Sequence, residues 1–172
     1  MRVVLISTYE LGHQPFGLAS PAAWLKSSGA AVTCLDLSVQ RLDPQAIAAA
    51  DLVAIYVPMH TATRLATALV ERIKSINPDA HLCFYGLYAP VNEGFLRKLG
   101  AATILGGEFE EGLVSLVQRL SNAKVRDFAP QREPVISLAR QSFQVPDRSG
   151  LEGLHRYAQI CSGDRRHNSY QR

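Results

Sequence analysis

The stretch "STYELGHQPFG", Ser7 to Gly17, places a hydroxyl, a carboxylate and an imidazole close together in the chain: Ser7, Glu10 and His13. Those types could build a serine nucleophile with its base and orienting acid. The G-x-S-x-G turn that exposes such a serine is absent, so a hydrolase triad is not the reading. A lone loop histidine is ordinarily a hydrogen-bonding residue, but neutral imidazole is also a common nitrogen ligand for transition metals. Three further turns carry polar or glycine-marked residues. "VPMHTA" holds Pro58, Met59, His60 and Thr61; "YGLYAP" holds Tyr85 and Gly86; "GGEFEEG" holds Gly106, Gly107, Glu108, Phe109 and Glu110. In the last of these, Glu108, Glu110 and Glu111 complement the positive end of the helix they precede, and they repel phosphate. Its paired glycines let a bulky neutral group approach the backbone. The three cysteines, Cys34, Cys83 and Cys161, have no metal-ligand spacing, and the first two lie in apolar runs. Cys34 and Cys83 read as buried thiols of a reducing, cytoplasmic protein.

These turns lie between short apolar runs. "VVLIS", "AVTCLDL", "LVAIYV", "HLCFYG" and "ATILGG" read as five strands, each buried on both faces. Helical segments separate them. Ser20-Pro21 reads as an N-cap with proline at the first helical position, and Gly29 as that helix's stop. Asp43-Pro44 opens a short alanine-rich helix. In "TATRLATALVERIKSI", the residues Leu65, Leu69, Ile73 and Ile76 fall on one face. Pro90 and Asn92 precede a helix ending near Gly100, and Leu113, Leu116, Val117 and Leu120 form the stripe of the last helix. The pattern predicts a doubly wound, flavodoxin-like (Rossmann-like) α/β domain over residues 1–121. Its sheet is five-stranded and parallel, of order 2-1-3-4-5. Residues 122–172, with scattered prolines, read as an irregular, extended tail.

With 172 residues, 47% of them hydrophobic and 19% charged, the chain has the composition of a folded domain. Its net charge of +3 owes much to "DRRHNSYQR" in the tail, so no nucleic-acid partner is expected. No apolar run approaches a membrane span, and "MRVVLI" reads as a strand rather than a signal peptide.

In a doubly wound sheet, ligands bind outside the carboxyl ends of the strands where strand order reverses, here between the first and third strands. The loops at 8–19, 58–62, 86–90 and 106–110 converge on that edge. A phosphate-accepting receiver needs acidic residues where Ser7 and Thr8 stand, and a lysine where Leu105 stands. A dinucleotide fingerprint needs G-x-G-x-x-G, but the first loop has only Gly12 and Gly17. A flavin phosphate loop is only faintly matched by "STYELGH", because Glu10 intrudes.

"GGEFE", "VPMHTA", "ISTYELGHQPFGLASPAAWL" and "CFYGLYAP" together resemble the N-terminal cobalamin (vitamin B12)-binding domain of radical S-adenosylmethionine proteins, over roughly residues 1–160. The resemblance implies a cobalamin-binding module with Ser7, Thr8, Glu10, Gly12, His13, Gly17, Pro58–Thr61, Tyr85, Gly86 and Gly106–Glu110 around the cofactor. It implies a partnership with a radical S-adenosylmethionine catalytic domain, in cis or in trans, methyltransferase-like in the parent architecture. Where relatives of the mutase and synthase type carry Asp-x-His-x-x-Gly, this loop differs in spacing; His13 is the candidate lower cobalt ligand. The C-x-x-x-C-x-x-C motif for an iron–sulfur cluster is missing. The cluster and S-adenosylmethionine therefore belong only to a full-length relative, and this chain is expected to catalyse nothing alone. The alternative is a flavodoxin-like flavin-binding or protein-interaction domain.

Overall fold

The computed structural model describes residues 1–123, 133–162 and 165–168. Each apolar run becomes a strand: β1 (Arg2–Ser7), β2 (Ala31–Asp36), β3 (Leu52–Tyr56), β4 (His81–Tyr85) and β5 (Thr103–Gly107). Between them lie α1 (Phe16–Ser27), α2 (Pro44–Ala49), α3 (His60–Ile76), α4 (Tyr88–Val91) and α5 (Glu93–Lys98), and α6 (Glu110–Ala123) follows. The sheet is parallel with order β2-β1-β3-β4-β5-β6. It has six strands rather than the expected five. The sixth, β6 (Ile136–Ser137), comes from the tail and pairs parallel to Gly106 and Gly107. No apolar alternation announces so short a strand.

Alternation along the strands divides the core into two layers. Val4, Ile6, Val53, Ile55 and Phe84 pack against α2, α3 and α5. Val3, Leu5, Leu52, Ala54, Cys83 and Tyr85 pack against α1 and α6. Cys34 and Cys83 are buried thiols, and burial pushes the Cys34 thiol up to about 11.

Two helices differ from expectation. In α1, Ser20 is not the N-cap: the helix begins at Phe16, and Pro21 lies inside it. A proline there removes the N–H that would bond the carbonyl four residues back, which is Gly17. The Tyr85 hydroxyl donates to that carbonyl at 2.7 Å, so the helix runs through. In α3 the buried stripe is Ala62, Ala66, Val70 and Ile73; of the expected stripe Ile73 is buried, Leu69 and Ile76 pack at its margin, and Leu65 is exposed. The first turn of α3 sits close against the sheet edge, where the Thr8 hydroxyl donates to the Ala62 carbonyl, and alanines fit there better than leucines.

The tail is not a free extension. Glu133 pairs with Arg119 of α6 through two bonds of 2.8 and 2.7 Å. After β6, Asp147 pairs with Lys26 of α1 at 2.7 Å, and the Tyr157 hydroxyl donates to Asp36 at the end of β2 at 2.8 Å. The tail thus runs from one side of the sheet to the other across α1. Beyond it, β7 (Gln159–Ser162) and β8 (Arg165–Asn168) form an antiparallel pair, where the sequence suggested no regular structure. No helix among the described residues is long and apolar enough to cross a membrane.

Candidate functional site

The switch in strand order places β1 between β2 and β3, with Ser7 opposite Tyr56 in the parallel register. From that point the four connecting turns are joined to one another. Thr8 reaches the first turn of α3. The Tyr88 N–H donates to the Val57 carbonyl at 3.0 Å, and the Gly86 N–H donates to the Leu105 carbonyl at 3.1 Å. Phe109 sets its ring at a tilt against both Tyr56 and Tyr85, with centroids 5.9 and 5.1 Å apart. The turns that the sequence marks out therefore meet along one edge.

Residues 8–15, ahead of α1, make the longest of these connections. Leu11 and Gly12 turn the chain with φ of 52° and 78°, and the His13 N–H closes the turn on the Glu10 carbonyl at 2.8 Å. Among the described residues, the buried side-chain nitrogen and oxygen atoms without a partner are Ser7 Oγ, Glu10 Oε2 and His13 Nδ1. All three come from this one segment. Ser7 is completely buried; Glu10 and His13 are half-buried. Burial, and then the nearby Asp36 carboxylate, raise the Glu10 carboxyl from its ordinary 4.5 to about 7. Near neutral pH it is a mixture of acid and carboxylate, able to donate as well as accept.

The remaining candidates divide by surroundings. Pro58 and Met59 are half-buried beside Tyr56, whereas His60 and Thr61 open α3 and are exposed. Tyr85 is wholly enclosed, its hydroxyl committed to Gly17, so it supports the edge from below. Gly106 and Gly107 face the protein itself. A Cβ on Gly106 would come within 2.2 Å of Pro90 Cγ, and one on Gly107 within 2.1 Å of the Ser137 carbonyl oxygen. The Glu108 N–H donates to that same carbonyl at 2.8 Å, and the Glu108 side chain is exposed. Glu110 is buried and accepts a 2.7 Å hydrogen bond from Ser20, clasping α6 to α1. Among the described residues, no group of three or more histidine, cysteine, aspartate or glutamate side chains is arranged to hold a metal ion.

Three residues of this edge were not singled out from the sequence. Tyr56 occupies the switch point itself. Asp36, nearly fully buried, accepts from Ser38 and from Tyr157. Tyr157 brings the tail onto the first loop, where the Ala158 N–H donates to the Gly12 carbonyl at 2.8 Å and Arg148 donates to Gln14 at 2.8 Å. A signal existed for the first two: each places a polar group at the carboxyl end of an otherwise apolar run. None existed for Tyr157, whose partner lies 121 residues away in sequence.

Two solved structures resemble this arrangement. One is the radical S-adenosylmethionine methyltransferase TsrM from Kitasatospora setae, determined with tryptophan substrate and a S-adenosylmethionine analogue bound. It superposes with a TM-score of 0.59 at 18% identity, over 71% of this chain and 26% of that one. The likeness is one of fold. The second is a flavodoxin from the domain Archaea, with a TM-score of 0.49 at 12% identity over 70% of this chain and 93% of that one. No family model and no curated protein matches the sequence. Over 71% of its length the chain thus shares a fold with about a quarter of that methyltransferase, built on a parallel sheet of order β2-β1-β3-β4-β5-β6.

Proposed function

We propose that this chain is a cobalamin-binding module whose cofactor lies on the carboxyl edge of the sheet. It serves a radical S-adenosylmethionine catalytic domain, in cis or in trans, and catalyses no reaction alone. The observation that carries the reading is the trio of unpartnered buried atoms on the first loop, Ser7 Oγ, Glu10 Oε2 and His13 Nδ1. Each such atom costs about 1–3 kcal/mol if nothing meets it. Three of them at the switch point suit a ligand that brings its own hydrogen-bonding groups. The carboxamide arms around a corrin are groups of that kind. Glu10, poised between acid and carboxylate, can donate to an amide oxygen or accept from an amide nitrogen. The same carboxyl, with Asp36 beside it and Glu110 nearby, disfavours a phosphate-led cofactor such as a flavin nucleotide.

When bound, cobalamin supplies a cobalt centre suited to alkyl transfer. Ser7 and Glu10 are the residues of this chain that would hold the amide arms, and His13 is the imidazole that could serve as a nitrogen donor to the cobalt. The iron–sulfur cluster and S-adenosylmethionine belong to the catalytic domain. The fold likeness to part of a radical S-adenosylmethionine methyltransferase supports that pairing.

Hydroxocobalamin is the test. Purified chain is mixed with excess cofactor and freed of unbound material by gel filtration. The retained protein is expected to carry the corrin absorbance, and Glu10→Ala is expected to lose most of it. A colourless protein overturns the proposal. A second reading is an interaction module with no cofactor. It is favoured by Leu138, Phe143 and Val145, whose side chains stand exposed on the tail. Calorimetry with cobalamin and with flavin mononucleotide separates the readings: heat from the first alone supports the proposal, and heat from neither supports the second.

A further inference from the structure

Tyr56 closes the point at which the sheet opens. It is the last residue of β3, opposite Ser7 of β1, and its ring is half-buried rather than enclosed. Glycines from two different elements lie against that ring. A Cβ on Gly17 of α1 would come within 2.2, 2.3 and 2.5 Å of Cζ, Cε1 and Cδ1. A Cβ on Gly86, after β4, would come within 2.9 and 3.0 Å of Cε2 and Cδ2. Gly86 has φ of 105°, which is reason enough for glycine there. Gly17 has no such conformational need. It stands in a helix, where glycine is worse than alanine by about 1 kcal/mol, and the Tyr56 ring is what its missing side chain accommodates. Tyr85 and Phe109 complete the surroundings, with centroids 5.3 and 5.9 Å from Tyr56. The space around the ring is thus a slot, walled by two backbone segments and two aromatic rings and opening beside the unpartnered atoms of the first loop.

Burial and the facing carboxyls of Glu10 and Glu110 raise the Tyr56 phenol above its usual range, so the hydroxyl stays neutral. A neutral, half-buried ring is held there mainly by contact, and another flat ring could make the same contacts. We propose that Tyr56 is a displaceable plug: its ring fills the slot in the ligand-free chain and leaves it to admit a planar heteroaromatic base. This rests on the cobalamin reading, in which that base is the one on the cofactor's nucleotide arm. A ligand entering a slot that is closed most of the time binds more weakly, and enters more slowly, by the fraction of time the slot is open.

The experiment compares two corrinoids, hydroxocobalamin and dicyanocobinamide, which share the corrin but differ in that only the first carries a nucleotide. Stopped-flow absorbance follows each with the full chain as wild type, Tyr56→Phe and Tyr56→Ala. If the ring is in place about nine-tenths of the time, Tyr56→Ala gains about tenfold in hydroxocobalamin association rate and affinity. Cobinamide changes less than about twofold on the same logic, and Tyr56→Phe, which keeps the ring, matches wild type. Should Tyr56→Ala melt too low to assay, Tyr56→Leu takes its place, since it keeps apolar bulk without a flat ring. Equal shifts for both corrinoids, or no shift for either, overturn the plug and leave the cobalamin reading standing. Loss of hydroxocobalamin binding with cobinamide unaffected overturns it too, because the ring would then be a wall of the site. Failure of both corrinoids to bind wild type and variants removes the functional reading, and the plug with it.

Discussion

Replacing Tyr85 by phenylalanine tests how a proline is carried inside α1. The substitution deletes one oxygen from a fully buried ring and leaves the packing around it intact. That oxygen donates the 2.7 Å hydrogen bond to the Gly17 carbonyl, whose helical donor is missing because residue 21 is proline. The buried carbonyl would then have no partner, at a cost of about 1–3 kcal/mol. For a domain of this size, each 1 kcal/mol is about 2–4 °C in Tm. Urea denaturation followed by circular dichroism reads the change directly. The decisive comparison is made in a Pro21→Ala background. Alanine restores the N–H that α1 would use for Gly17, so losing the tyrosine hydroxyl should there cost about 0.5 kcal/mol or less. The coupling between the two positions should be about 1 kcal/mol or more. If Tyr85→Phe destabilises both backgrounds equally, the hydroxyl does not serve as the proline's substitute donor, and the account of α1 fails.

Two further outcomes follow from the same geometry. Glu10 has its carboxyl raised to about 7, so the folded chain holds a proton there that the unfolded chain releases above about 4.5. The contribution of Glu10 to stability is therefore greatest below 4.5, falls between about 4.5 and 7, and levels off above that range. Glu10→Gln should remove this slope and be more stable than wild type at pH 8; parallel stability–pH curves for the two proteins would refute the assignment. Gly107 has φ of 67°, and an added Cβ would run into the Ser137 carbonyl. Gly107→Val should cost about 1–3 kcal/mol from backbone strain, with loss of the β5–β6 pairing adding to it. A Tm equal to wild type would show that the tail does not sit against this turn. Because the collision is with the chain itself, any weaker cofactor binding in this variant has to be compared with its loss of stability.

The sequence alone was enough for the five principal strands and their order. Runs such as "VVLI" and "LVAI" are apolar at every position, and only burial on both faces explains that. Asp43-Pro44 marked the start of α2, where the Asp43 carboxylate accepts from the Gln45 and Ala46 N–H groups. Gly29 marked the end of α1 with φ of 86°. These signals are local, carried by residues within one turn of where they act. The same was true of the four turns at the sheet edge, because the carboxyl end of each strand can be read from the strand itself.

What tertiary structure decided were the contacts between residues distant in sequence. Ser20-Pro21 has the form of a helix start, but α1 begins five residues earlier, and a tyrosine from β4 satisfies the carbonyl that the proline leaves bare. The buried stripe of α3 takes in Ala62 and leaves Leu65 out, with the first turn bonded to Thr8. Glycines at 106 and 107 resembled a ligand cradle, yet Pro90 and Ser137 fill the space beside them. The tail, without periodicity of its own, is held by single pairings with α6, α1 and β2. Periodicity reports which face of an element is buried; it carries no information about which distant group will meet a bare carbonyl, a missing Cβ or a lone carboxylate. The Tyr56 ring between Gly17 and Gly86 is of this second kind, visible only once three separate elements are brought to one edge.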